Sequence, residues 1–126
     1  MNVLYTFGFA LQAGGHFKSA LCMLKQITAN GHNAWVAAAP GGIDAVYEEY
    51  QKAGAQVVHI PQLERTSRVP LVSGAASIAK LARDHNINII HAQDFISAGH
   101  AYFGAIRAGK SFVYTQAGGP FMHEAP

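Results

Sequence analysis

"NVLYTFGFALQAGGHFKSALCMLKQ", residues 2–26, decides the fold. Its opening apolar run, residues 2–7, reads as a buried strand. Beyond a short loop, Phe17, Ala20, Leu21, Leu24 and Ile27 fall at helical spacing on one face. Asn30 and Gly31 then stop the helix, because glycine takes the left-handed conformation at a helix end without steric cost. A buried strand, a helix and a closing glycine make the first half of a strand–helix–strand unit, and the pattern recurs along the chain.

"AWVAAA", residues 34–39, is the second strand, closed by Pro40-Gly41-Gly42. Ile43, Val46, Tyr47, Tyr50 and Ala53 form a second helical stripe, ended by Gly54. "QVVHI", residues 56–60, is the third strand, stopped by Pro61. The polar residues 62–70 read as a loop. Residues 71–85 read as a third helix with Leu71, Ala75, Ile78, Ala79 and Ala82 inward. "INIIHA", residues 87–92, is strand four. Residues 95–108 make a small-residue helix in which Gly99 and Gly104 are expected to allow close approach to the sheet. Gly109 ends it, and "SFVYT", residues 111–115, is strand five.

Strict alternation of strand and helix predicts an α/β fold: a Rossmann-like parallel sheet of about five strands with helices on both faces. The strands are near-continuous apolar runs, as expected where both faces are covered. The commonest order for five such strands is 3-2-1-4-5 or a close relative. Ligands bind such sheets beyond the carboxyl ends of the strands, where the winding reverses. That rule brings residues 7–16, 91–95 and 116–123 together.

The 126 residues suit one domain or a piece of a larger protein, and a composition 50% apolar and 13% charged is that of a globular chain. The formal net charge is +2, and the basic residues are scattered apart from Arg65 and Arg68, so the sequence has no strong footprint for nucleic acid or an anionic membrane. Cys22 is the only cysteine, which rules out an internal disulfide, and its helical setting predicts a buried, inert thiol. No run is long enough to span a bilayer, and the amino terminus lacks the charged region of a signal peptide, so a cytoplasmic protein is expected.

Several familiar chemistries are missing. The first loop, "GFALQAGGHF", is not G-x-G-x-x-G, and strand two ends "VAAAP" without an acidic residue, so the dinucleotide-binding fingerprint is absent. There is no P-loop, no G-x-S-x-G elbow and no Cys/His spacing typical of zinc. Strand three ends His59-Ile60-Pro61, not in the aspartate of a receiver domain.

What remains is a set of weak signals. Gly14-Gly15 opens helix one, either as a plain turn or because a phosphate oxygen approaches the free backbone N–H groups of the helix start. His91 ends strand four, either as a hydrogen-bonded core residue or as a ligand contact at the sheet edge, with Gln93 and Asp94 beyond it. Asp94 is read as the cap of helix four. "TQAGGP", residues 115–120, offers a second glycine pair, Gly118-Gly119. His16, His32, His85 and His100 are expected at the surface or at helix ends.

Together these motifs resemble the N-terminal domain of GT-B-fold glycosyltransferases, in particular the retaining family 4, or group 1. The likeness lies in the Gly-Gly loop, Gly31-His32 before strand two, Pro40-Gly41-Gly42 after it, Gly54 to Pro61 with Val57, "NIIHAQ" ending strand four and "TQAG" ending strand five. It covers nearly the whole chain. Asn88 stands in place of the family's acidic residue, Gln93 in place of a second histidine, and Ala117 in place of the strand-five histidine that contacts the donor sugar.

The resemblance implies one half of a GT-B enzyme that moves a sugar from a nucleotide-sugar donor to a glycan, lipid or small-molecule acceptor. It implies backbone at Gly14 and Gly15 facing the donor diphosphate, and cleft or sugar contacts from His91, Gln93, Gly118 and Gly119. Arg65 and Arg68 fall on the acceptor side, and neither a metal nor another cofactor is expected. It further implies a C-terminal donor-binding domain beyond these residues, peripheral membrane association of the full-length enzyme, and a fragment that is inactive alone and self-associates through its open cleft or sheet edge. The alternative is a non-catalytic flavodoxin-like binding or interaction module.

Overall fold

Apolar residues that alternate between two helical layers bury the central strands on both faces, while Ser111 and Val113 of the last strand stay exposed. The computed structural model describes residues 1–12, 15–65 and 67–115. Its elements are β1 (Asn2–Thr6), α1 (Gly15–Ala29), β2 (Asn33–Ala38), α2 (Asp44–Lys52), β3 (Ala55–His59), a 3₁₀ turn (Pro61–Glu64), α3 (Arg68–Asp84), β4 (Ile89–Ala92), α4 (Phe95–Ala108) and β5 (Ser111–Tyr114). The sheet order is β3-β2-β1-β4-β5, and every neighbouring pair is parallel. The sequence leaves strand order open; the observed order is the commonest one for five such strands, with the winding reversing between β1 and β4. Strand limits differ from the sequence reading by one or two residues.

Each face of the sheet carries its own core. Leu4, Trp35, Ala37, Ile90 and Ala92 pack under α3 and α4 with Ile78, Ala82, Ala101 and Ala105. Val3, Tyr5, Val36 and Ala38 pack under α1 and α2 with Leu21, Leu24 and Tyr50. Gly31, Gly54 and Gly109 all hold positive φ (86°, 103° and 69°), as their place at helix ends requires. The third crossover ends instead on Asn86, φ 51°, a residue type that tolerates this region. Nearby, the Asn88 side chain accepts a hydrogen bond from the Asn2 backbone N–H at 2.8 Å. Asn88 thus works at the sheet edge opposite the strands' carboxyl ends.

Five readings need correction. Cys22 is exposed, not buried. It shares the solvent stripe of α1 with Lys18 and Lys25, each three or four residues from the next, while Leu21 and Leu24 take the core. Ile43 does not join the buried stripe of α2; it is the N-cap and 45% exposed. The polar stretch 62–70 is not one loop. Leu63 is fully buried in the 3₁₀ turn, and α3 already starts at Arg68. Pro70 sits in the first turn of α3, where its missing N–H breaks no bond. Gly99 and Gly104 meet helix α3, not the sheet: a Cβ on Gly104 would lie 2.7 Å from Ile78 Cγ2 and 3.1 Å from the Ala75 carbonyl oxygen, and one on Gly99 would lie 3.1 Å from Leu71 Cδ1. His85 caps α3 at the surface as expected, but His100 is fully buried in the middle of α4.

The His100 ring lies against Gly74 of α3, where a Cβ would collide with it, and neither ring nitrogen has a hydrogen-bond partner. Burial lowers its pKa; the backbone of Ile96, Gln62 and Arg65 and the Asp94 carboxylate favour the charged ring but do not offset burial. The native state therefore holds His100 neutral.

Two outcomes test this packing. Gly104→Ala should destabilise by about 1–2 kcal/mol, because overpacking against the branched Ile78 and a backbone oxygen outweighs the gain in helix propensity. Gly99→Ala faces only the mobile end of Leu71 and should leave the melting temperature unchanged or raised. Stability should fall as pH drops below about 6.5, since the unfolded chain takes up the His100 proton that the native state resists. Denaturant titrations of His100→Phe should show a flatter pH dependence with little loss at pH 8, as an apolar ring removes two unsatisfied nitrogens. An unchanged pH dependence in that variant would contradict the assignment.

Candidate functional site

The carboxyl ends of β1 and β4 lie side by side at the point where the winding reverses, and a short set of hydrogen bonds locks the segments that leave them. The Gln93 backbone N–H donates to the Thr6 carbonyl oxygen at 2.9 Å, and the Phe7 N–H donates to the Ala37 oxygen at 2.9 Å. Asp94 then joins two segments with one carboxylate. Oδ1 accepts from the Ser97 N–H at 2.8 Å and caps α4, while Oδ2 accepts from the Gly8 N–H at 2.7 Å. The capping role expected of Asp94 is observed, together with this second bond. Ser97 and Thr6 close the junction from below: their hydroxyls lie 3.0 Å apart, and the Ser97 hydroxyl also reaches the Thr6 carbonyl at 3.2 Å. Gly8 has to be glycine here, because a Cβ would run into Ile96.

Beside this junction stand two polar side chains, His91 and Gln93. His91, the last residue but one of β4, is half-buried beside the Tyr5 ring, with centroids 5.4 Å apart. Its Nε2 pairs with the Thr115 hydroxyl at 2.6 Å. Burial lowers its pKa, so the ring is neutral near pH 7, with one nitrogen a donor and the other an acceptor. Gln93 is 2% exposed, yet its Nε2 has no hydrogen-bond partner. A buried amide donor left without a partner is costly.

Of the residues proposed from sequence, the fold brings His91, Gln93 and Asp94 to one edge beside the loop after β1. Gly15 is the first residue of α1. Gly14, Gly118 and Gly119 lie outside the described residues. Arg65 and Arg68 line separate hollows. Arg65 follows the 3₁₀ turn beside Pro61, Glu64 and Pro70, and Arg68 lies between α3 and α4 with Phe103 and Arg107. Thr6, Gly8 and Ser97 escaped the sequence reading. Thr6 was visible as a hydroxyl within an apolar strand, and Ser97 as the residue three beyond the capping Asp94. Among the described residues, no group of three His, Cys, Asp or Glu side chains could hold a metal.

A strand-end crevice of this kind is common to many α/β proteins. Comparison with known proteins narrows the choice. The sequence profile of Glycosyltransferase Family 4 matches residues 13–119. A GDP-mannose-dependent alpha-mannosyltransferase of Corynebacterium glutamicum is 35% identical over 104 residues, which cover 77% of this chain and 24% of that protein. The chain thus spans about a quarter of the length of this relative. Among solved structures, MurG of Acinetobacter baumannii superposes with a TM-score of 0.70 at 14% identity, over 97% of this chain and 38% of that one. A glycosyltransferase of Rickettsia africae gives 0.66 at 16% identity, over 90% and 28% of the two chains. Both likenesses concern the fold. With its profile match and its five-stranded parallel sheet, the chain belongs to glycosyltransferase family 4 and forms a Rossmann-like half of the GT-B fold.

Proposed function

We propose that the whole protein transfers a sugar from a nucleoside-diphosphate sugar to an acceptor hydroxyl, and that this chain supplies one wall of the cleft. The observation that carries the reading is the junction at the winding reversal. Asp94 holds the loop after β1 against the start of α4, and the unmatched Gln93 amide and the neutral His91 lie at the same edge. Gly15 is the first residue of α1, and the dipole at a helix start favours an anion there. A diphosphate placed there has its leaving charge offset by fixed dipoles that need not reorganise during reaction. Gln93 and His91 suit the hydroxyls of a sugar, the first as a donor and the second as donor or acceptor.

The remaining donor contacts belong, in this reading, to a second domain outside these residues. A cleft with one wall leaves its charges open to screening by water, so the chain alone is expected to be inactive. The mannosyltransferase relative makes GDP-mannose the first donor to test.

The test is a radiolabelled-sugar assay of the full-length protein with guanosine- and uridine-diphosphate sugars. His91→Ala should lower kcat/KM by at least about tenfold, equal to about 1.4 kcal/mol of transition-state stabilisation. Gly15→Leu should cut transfer at least as strongly while the melting temperature holds. No transfer from any such donor by the folded full-length protein, or full activity in both variants, would refute the reading.

A further inference from the structure

The residue that follows β5 is tied to β4 twice. The Thr115 backbone N–H donates to the Ala92 carbonyl oxygen at 3.1 Å, and the Thr115 hydroxyl lies 2.6 Å from Nε2 of His91. The backbone bond fixes the base of the Thr115 side chain, and a β-branched side chain has few rotamers at χ1. The buried Tyr5 ring packs beside the imidazole, with centroids 5.4 Å apart. His91 is thus held by an aromatic neighbour and, at one nitrogen, by a hydroxyl. Its other nitrogen, Nδ1, has no hydrogen-bond partner among the described residues.

The length of the His91–Thr115 contact separates its two possible senses. A ring that donated would make an N–H···O bond, and such bonds run from about 2.7 to 3.2 Å. At 2.6 Å this contact is shorter than that range. Bonds donated by a hydroxyl are the shorter class. The hydroxyl therefore fits as the donor and Nε2 as the acceptor. A neutral imidazole carries one N–H, so a ring that accepts at Nε2 has its proton on Nδ1. Burial keeps this ring neutral near pH 7.

We propose that Thr115 is a positioning residue: its hydroxyl donates to Nε2 of His91 and locks the ring as the Nδ1–H tautomer, so that His91 meets a bound sugar as a donor. Gln93 brings a second donor to the same edge, its unpartnered Nε2. Two donors select a ligand that brings oxygen lone pairs, such as the hydroxyl or ring oxygens of a sugar. They disfavour a ligand whose facing groups can only donate, such as an ammonium, because donors on both sides would be left unpaired. The tautomer lock rests on the geometry around His91 alone; its use on a sugar rests on the transfer reading.

Nitrogen NMR of the full-length protein, labelled at its histidine rings, reads the tautomer directly; the His91 signals are those missing from His91→Phe. Near pH 8, about where a histidine ring is neutral, His91 should show Nδ1 protonated and Nε2 bare. Thr115→Ser keeps the hydroxyl and should keep that pattern. Thr115→Val replaces the hydroxyl with a methyl of the same shape and should move the proton to Nε2 in a large share of molecules. In the transfer assay, kcat/KM should fall about fivefold in Thr115→Val and stay within about twofold in Thr115→Ser, with the melting temperature of both preserved. A ring protonated at Nε2 in the unaltered protein would overturn the proposal, and so would a pattern that Thr115→Val leaves unchanged. Normal kcat/KM in Thr115→Val would overturn it too. If the folded full-length protein transfers no sugar, the transfer reading fails, and the NMR pattern decides the lock independently.

Discussion

One carboxylate determines how the ligand edge is built. Asp94 accepts from Ser97 at the first turn of α4 and from Gly8 in the loop after β1. These two donors would otherwise need water or a ligand, because the helix start has no internal partners and the loop has left the sheet ladder. Charge-assisted bonds of this kind each contribute about 1.5–3 kcal/mol. Through them β1 and β4, adjacent in the sheet but 83 residues or more apart along the chain, continue to share a fixed geometry beyond their last ladder bonds. The placement of His91 and Gln93 depends on that geometry.

The architecture was legible because it depends on short-range rules. Runs such as "AWVAAA" have no polar face, and each helix shows one apolar stripe, so layers and parallel pairing follow from local pattern. Gly31, Gly54 and Gly109 were legible for the same reason, since positive φ at a helix end has few solutions. Contacts between helices were not. Gly99 and Gly104 were visibly small for a purpose, but nothing local says whether a small residue faces a strand or another helix. His100 was misplaced because a lone polar residue in an apolar helix points outward on average. Here it fills the space opened by Gly74, a partner 26 residues away that only the fold identifies. Pro70 marked a boundary that the helix passed, because a first-turn proline breaks no hydrogen bond.

The candidate site divides along the same line. Asp94 as a cap and His91 at a strand end are positional statements, and periodicity supports them. The second bond of Asp94, the Thr6–Ser97 contact and the open amide of Gln93 are meetings between β1 and β4, and no spacing rule contains them. Charge behaved in the same way. Arg68 and Arg107 are 39 residues apart, and only the crossover that sets α3 beside α4 makes them one rim. Asn88, a departure from the family pattern, also has a local answer: it accepts from the Asn2 backbone at the far edge of the sheet.

The central claim, that Asp94 ties the β1 loop to α4, is tested most directly by amide hydrogen exchange. In Asp94→Ala, the Gly8 and Ser97 amides should exchange roughly ten- to a hundredfold faster than in the unaltered protein, matching loss of a charge-assisted bond at each. The Phe7 amide, bonded to the Ala37 carbonyl, should keep its protection. Unchanged exchange at Gly8 in the presence of faster exchange at Ser97 would contradict the account, because Asp94 would then be a helix cap and nothing more.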